Sequence, residues 1–182
     1  MKTSTPLRLL LALPLFALIA ACDVEPGTAV VANAQGVVSP APGPTVVRLG
    51  QPGRAGSVQL TVTDITTPTR LTSGTGLTTE PGETFVVVSF KLKNVGDAPL
   101  LDNDRPAITL RDAQGRAYEP DGSATRSVAI WGMADPSGYS ADLNPNVSAK
   151  TKLAWKLDKA AFDLGTWHLS VASAPRVAFA LR

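Results

Sequence analysis

Few side chains in this sequence are of a type that carries out catalysis. A nucleophilic triad needs a histidine beside a serine or cysteine, and the chain has one histidine, His168, and one cysteine, Cys22. His168 lies between Trp167 and Leu169 in an alternating segment, which predicts a position on the outer face of a strand. Zinc and copper sites need several histidine or cysteine ligands. We therefore predict no catalytic residue, no metal and no cofactor.

Four acidic residues form the best candidate for a cation site. Asp102 and Asp104 lie on a predicted loop, and Glu119 and Asp121 follow a predicted hairpin. Calcium takes six to eight oxygen ligands, but the spacing differs from that of an EF-hand, and Arg105 would oppose a cation. We expect solvated loop carboxylates, with a calcium-binding protein and a hydrolase as the lesser alternatives.

Three residues are candidates for contact with a partner: Trp131, Met133 and Tyr139. The segment from Ser127 to Trp131 is predicted to be a strand, and the sequence then enters a loop that contains two prolines. An aromatic residue exposed at the tip of a β-sandwich can bind a protein or a glycan. The alternative is that Trp131 packs in the core like other large apolar residues.

Cys22 stands directly behind Leu18-Ile19-Ala20-Ala21 at the end of an apolar run. The run covers 13 residues, 9–21, after Lys2 and Arg8, which is too short for a bilayer span of roughly 20 residues. This arrangement resembles the lipobox of bacterial lipoproteins. The resemblance implies a signal peptide over residues 1–21 and a lipid on Cys22; the alternative is an ordinary secretory signal. We expect an exported protein that is lipid-anchored to the bacterial cell membrane, since two or more acyl chains give lasting attachment.

The charge of the chain argues against nucleic acid as a partner. The sequence has 17 basic and 15 acidic residues, and removal of a leader that contains Lys2 and Arg8 would leave equal numbers of each. Nucleic-acid binding needs a concentrated basic surface. Lys150, Lys152 and Lys156 recur at alternate positions of one predicted strand. We expect them to face solvent and protect a sheet edge, with attraction to an anionic envelope polymer as the alternative.

The mature chain divides into a linker and a domain. Residues 22–55 carry the cysteine and a segment with five prolines, five glycines and no aromatic residue, which is typical of a flexible tether with a reach of about 30 Å. Within it, Thr45 to Val47 is a candidate edge strand. Residues 56–182 form the predicted domain, and without a second cysteine its stability must come from a hydrophobic core.

Alternating apolar residues predict the strands of that domain. Val58, Leu60 and Val62 share one face of the first strand, and Trp155 and Trp167 fall on inward positions of later ones. The segment from Phe85 to Leu92 is apolar on both faces at its start, which is typical of a central strand. Seven or eight short strands separated by turn residues predict an all-β protein, an antiparallel β-sandwich.

The segment from Glu83 to Leu169 resembles a family of small immunoglobulin-like domains of unknown function that occur in bacterial lipoproteins, grouped with immunoprotective extracellular antigens and telokin-like domains. Three blocks carry the likeness: a valine-rich strand followed by Asn94-Val95-Gly96-Asp97-Ala98-Pro99-Leu100, the hairpin Leu110 to Tyr118, and Leu143-Asn144-Pro145-Asn146 before Leu153-Ala154-Trp155. Asn146 stands where the family usually has glycine, and asparagine enters the left-handed backbone region more easily than other residues. The resemblance implies an immunoglobulin-like sandwich and assigns no catalytic or ligand residue.

Together these observations favour a non-enzymatic binding or interaction module on a membrane tether. Its partners would be the membrane, through the lipid on Cys22, and an envelope protein or polymer. The alternative is a structural or assembly factor of the envelope.

Overall fold

The computed structural model describes residues 44–71, 76–131, 141–173 and 176–182. Nine strands in these ranges form two sheets, of which one has the order β1-β9-β8-β5-β6 and the other the order β2-β3-β4-β7. This architecture confirms the predicted β-sandwich. The strands are β1 Thr45–Val47, β2 Pro52–Ala55, β3 Val58–Thr66, β4 Glu83–Asn94, β5 Ile108–Arg111, β6 Ala117–Tyr118, β7 Ser148–Asp158, β8 His168–Val171 and β9 Val177–Ala180.

The core lies between the two sheets and is built from the alternating positions. Leu60, Leu110, Leu169, Trp155 and Phe179 have essentially no exposed surface, so the inward predictions for these strands are confirmed. Burial of each such side chain contributes about 1.5–3 kcal/mol to folding. The core is therefore large enough to hold the described strands together without a disulfide.

Aromatic residues close one flank of this core. The rings of Tyr118 and Trp167 stack with centroids 4.9 Å apart, and Phe162 meets Trp167 edge-on at 5.2 Å. The indole N–H of Trp155 donates to the carbonyl of Tyr118 at 2.9 Å. Both tryptophans are buried, as their alternation predicts, and the hydrogen bond satisfies a polar group that would otherwise be costly to bury.

Strand β4 is central, as predicted, and its two faces contribute to two different apolar clusters. Val86 and Val88 face the sandwich core, whereas Phe85 and Val87 pack in a second cluster with Ala124. A short helix, α1 (Gly122–Arg126), contributes Ala124 and covers this second face of β4. Both faces of the first half of β4 are therefore protected from water, which explains its apolar sequence.

The strand predicted over Ser127–Trp131 is wrong. The segment is a π-helical turn that continues α1. Asp121 begins the helix, because its carboxylate accepts a hydrogen bond from the Ala124 N–H at 2.7 Å. Ala124 and Val128 lie four residues apart and both reach the second cluster, so the apolar spacing is that of a helix. Alternation over five residues was too short to separate the two structures.

The predicted end of the linker at residue 55 also differs from the structure. Strands β1 and β2 both lie within the predicted linker and end at or before that residue, with β1 parallel to β9 and β2 antiparallel to β3. The candidate edge strand at Thr45–Val47 therefore forms. A parallel pairing with a strand 132 residues away leaves no local turn signal in the sequence, whereas the prolines and glycines around it are typical of a linker.

The family blocks are explained by buried polar groups at strand ends. The Asn94 side chain is fully buried and donates to the carbonyls of Ala98 and Leu143, both at 2.8 Å, while its carbonyl accepts the Gly96 N–H at 2.9 Å. Asn146 has a φ of 66°, which confirms the expectation that asparagine replaces glycine in the left-handed region there.

Asp112 organises the predicted hairpin between β5 and β6. Its carboxylate is buried and accepts hydrogen bonds from the backbone of Gln114, the backbone and guanidinium of Arg116 and the Tyr118 hydroxyl. Gly115 has a φ of 78°, the left-handed geometry that the turn requires. Burial alone raises the pKa of Asp112, but hydrogen bonds from Arg116 and Tyr118 outweigh that effect and hold the pKa below its usual range.

Within the described ranges, no helix combines the length and the apolar character needed to cross a bilayer.

Candidate functional site

A cleft of about 410 Å³ opens between the two sheets. Phe90 and Leu92 of β4 and Leu153 of β7 contribute from one sheet, and Ile108 of β5 contributes from the other. Small-molecule and side-chain sites in proteins have volumes of this order, with apolar linings and a few polar groups. The remaining lining residues are Asp102, Arg105, Pro106, Ala107, Glu119, Pro120 and Thr151.

The cleft exists because the chain leaves one sheet for the other at this point. After β4 it passes through a short 3-10 turn, Asp102–Asp104, and enters β5 of the facing sheet. Pro106 and Ala107 carry the crossing, and small or rigid residues there leave the space above Ile108 unfilled. The alternation of β4 and β7 places apolar side chains on the opposite wall.

The crossing is braced by contacts with the segment 141–143. The backbones of Leu100 and Leu143 exchange two hydrogen bonds of 2.9 Å, and the Asp102 N–H donates to the Asp142 carboxylate at 3.0 Å. The Arg105 guanidinium donates to the carbonyl of Ala141. These links make the rim of the cleft a fixed structure rather than a loose loop.

The charges on the rim do not cancel completely. Arg105 lies 3.5 Å from the Asp102 carboxylate, and its side chain is only 13% exposed, so the pair is close to neutral. Glu119 also lines the cleft and is exposed, and no cation among the described residues lies within ion-pair distance of it. The cleft therefore presents an apolar floor beside one uncompensated carboxylate.

The acidic residues considered for calcium have separate roles. Asp102 pairs with Arg105, Asp121 caps α1, and Glu119 lies at the rim of the cleft. In the part of the chain that the structure describes, no three acidic or histidine side chains are grouped so that they could hold a metal ion. The cleft brings together only Asp102 and Glu119 of the four predicted residues.

His168 lies on the outer face of the five-stranded sheet, as its alternation predicts. It sits opposite Arg111 in the register of β5 and β8, and the two share a shallow groove with Thr109 and Ser170. Partial burial lowers the pKa of His168, and the positive charge of Arg111 lowers it further. Both effects favour a neutral imidazole at pH 7.

The other predicted site residues lie wholly or partly outside the described residues. Cys22, Met133 and Tyr139 lie outside the described residues, and so does the side chain of Trp131, whose backbone ends the π-helical turn. Contact of Trp131, Met133 and Tyr139 with a partner stays a prediction, and so does the lipidation of Cys22.

Sequence reasoning missed the cleft itself. Arg105, Pro106 and Ala107 carry no motif, and Phe90, Leu92 and Leu153 look like ordinary core residues in the alternating pattern. The available signal was Arg105-Pro106 beside an acidic loop, which indicates a charged crossing but not the space beneath it. Only the facing of the two sheets produces that space.

Comparison with known proteins gives relatives without an assigned activity. The uncharacterized protein YxkC of Bacillus subtilis is 35% identical over 92 residues, which are 50% of this chain and 51% of that protein. The chain thus spans about half the length of this curated relative. A family model described as a domain of unknown function (DUF4352) matches residues 47–166.

Two solved structures are similar in fold. A conserved hypothetical protein from Bacillus anthracis has a TM-score of 0.61 at 20% identity, over 72% of this chain and 93% of that chain. An uncharacterized β-sandwich protein from Clostridium difficile has a TM-score of 0.53 at 12% identity, over 77% and 95%. These likenesses support the sandwich, while the immunoglobulin-like assignment stays a prediction. Because the family model covers more than half of the sequence, the chain belongs to the DUF4352 family of domains of unknown function.

Proposed function

We propose that this protein is a non-enzymatic binding module, exported and lipid-anchored through Cys22, whose cleft takes an apolar group of an envelope partner. The observation that carries the proposal is the braced cleft between the sheets, with its apolar floor of Phe90, Leu92, Ile108 and Leu153. An apolar group that enters it would gain about 25 cal/mol for each Å² removed from water.

The charges at the rim of the cleft suggest which chemical group of the partner lies next to its apolar group. Asp102 is paired with Arg105, whereas Glu119 has no cationic neighbour within ion-pair distance in the described chain. A partner with a basic or hydrogen-bond-donating group beside its apolar side chain would complement Glu119. We infer that the partner is a protein segment, with an envelope polymer as the second possibility.

Site-specific photo-crosslinking in intact cells tests the binding role. A photoreactive phenylalanine at Leu153, inside the cleft, should form a discrete adduct, whereas the same residue at Ala113, on the exposed tip of the β5–β6 hairpin, should not. The adduct should weaken with Glu119→Lys and persist with Glu80→Lys, which makes the same charge change outside the cleft. Equal adducts at both crosslinking positions would contradict the proposal.

Cell fractionation tests the anchor separately. Cys22→Ala should move the protein from the membrane to the soluble fraction, because no thiol remains to be acylated. Thr28→Ala, a change of similar size in the predicted linker, should leave it in the membrane. Retention of the Cys22→Ala variant in the membrane fraction would refute lipid anchoring and would leave the cleft proposal untouched.

A further inference from the structure

Four lysines form a line on the outer face of the four-stranded sheet. Lys91 and Lys93 occupy outward positions of β4, and Lys150 and Lys152 occupy outward positions of β7. The register places Lys91 directly opposite Lys150, with Lys93 two residues away on one side and Lys152 two residues away on the other. The sequence separates the two pairs by almost 60 residues, and only the pairing of β4 with β7 unites them.

The pairing of Lys91 with Lys150 acts against the stability of the sheet. Like charges directly opposite each other on one face of an antiparallel pair are destabilising. Lys91, Lys93 and Lys150 have no carboxylate within ion-pair distance among the described residues. Lys156, farther along β7, instead contacts Glu83 at 3.0 Å. Lys91, Lys93 and Lys150 are therefore a concentration of positive charge without an ion pair in the described part of the fold, and Lys152 continues their line.

The four lysines follow one another at similar intervals along the sheet. Neighbouring strands lie about 4.8 Å apart, and alternate residues of one strand lie about 6.8 Å apart. The backbone positions of successive lysines in the line are therefore about 5–7 Å from each other. Ser89 and Ser148 flank the path opposite Lys152 and Lys93 and can donate hydrogen bonds. A broad membrane contact would instead favour basic residues interspersed with exposed apolar ones.

We propose that this lysine track binds a linear phosphodiester polymer of the cell envelope. The track is separate from the cleft, because Lys152 and Leu153 are consecutive residues and point to opposite faces of the sheet. A positively charged groove that follows the backbone is the general way in which proteins hold single-stranded polyanions without reading their sequence. The chain of phosphates would lie along the line of lysines, and the affinity would fall as the salt concentration rises.

The test measures binding of full-length protein, in a nonionic detergent, to poly(glycerol phosphate) across a range of salt concentrations. Four contacts predict a slope of log affinity against log salt of about −3, and Lys150→Gln should reduce the magnitude by about 0.7. Lys150→Glu should lower affinity roughly tenfold or more. It should also raise the melting temperature by about 1–3 °C, because it places a carboxylate opposite Lys91.

Lys159→Glu is the matched control, since it makes the same charge change beyond the end of β7. The affinity of Lys159→Glu for the polymer should stay within about twofold of wild type, and so should that of the cleft variant Glu119→Lys. Failure of the cleft proposal can therefore be distinguished from failure of the lysine-track proposal. Equal losses with Lys150→Glu and Lys159→Glu would overturn the proposal. So would equal affinity for monomeric glycerol phosphate.

Discussion

Replacement of Asn94 gives the sharpest test of how the strand ends are held. The Asn94 side chain closes the turn that follows β4 and ties it to a distant segment: its NH₂ group donates to the carbonyls of Ala98 and Leu143, and its carbonyl accepts a hydrogen bond from the Gly96 N–H. Asn94→Leu keeps a side chain of similar size and removes all three hydrogen bonds. The position is fully buried, so bulk water has no direct access to the groups left without a partner.

The magnitude follows from the three bonds. Each hydrogen bond contributes a net of about 0.5–1.5 kcal/mol, so their loss should lower the free energy of unfolding by about 3 kcal/mol. Leu143 retains its backbone bond from Leu100, which limits the penalty for an unpaired carbonyl. For a domain of this size, about 3 kcal/mol corresponds to a fall of about 10 °C in melting temperature.

Urea and thermal unfolding measure this change through tryptophan fluorescence, since Trp155 and Trp167 are both buried. Asn94→Asp adds a diagnostic, because a carboxylate would face two carbonyl oxygens and only its protonated form could donate to one of them. Its deficit relative to wild type should therefore shrink as pH falls from 7 to 4. Asn144→Asp, at an exposed position, should lie within about 0.5 kcal/mol of wild type. An Asn94→Leu variant as stable as the control would refute the reasoning.

Two further predictions concern packing and pH. Gly53→Ala should lower the free energy of unfolding by about 1–3 kcal/mol, because the new Cβ would lie 2.6 Å from Phe179 Cζ. Gly122→Ala is the control, because its new Cβ would have nothing within 4 Å. Equal urea midpoints for the two variants would contradict the clash. His168 has a lowered folded pKa, so the unfolded chain binds its proton first and stability should fall as pH drops through about 6.5 and below. Unfolding at pH 7.5 and 5.5 should show a smaller fall in His168→Gln, and an unchanged difference between the two pH values would contradict the burial argument.

The alternation of the long strands was readable without a structure. Val58, Leu60 and Val62, and the inward residues of β4, are buried as their period of two predicts. The Asp112 hairpin and the left-handed Asn146 also follow from local chemistry. In each case the determinant is a contact within a few residues, or burial of one face, and both leave a regular pattern in the sequence.

Short and long-range elements were harder to predict. The segment Ser127–Trp131 has apolar residues that fit a strand or a helix, and its packing on Phe85 and Val87 selects the helix. Strand β1 depends on a partner 132 residues away and lies among prolines and glycines. Local propensity gives little information in both cases, because the deciding contacts are tertiary.

The sequence by itself determined a β-rich domain without an internal disulfide, because the period of two and the single cysteine are read directly from composition and local spacing. Only the tertiary structure decided which surfaces bring the candidate binding residues together. The cleft needs two facing sheets, and the lysine track needs β4 beside β7 in one register. The physical reason is that an inward or outward position is encoded locally, whereas the neighbour of that position across a sheet or a cleft is chosen by the packing of the whole chain.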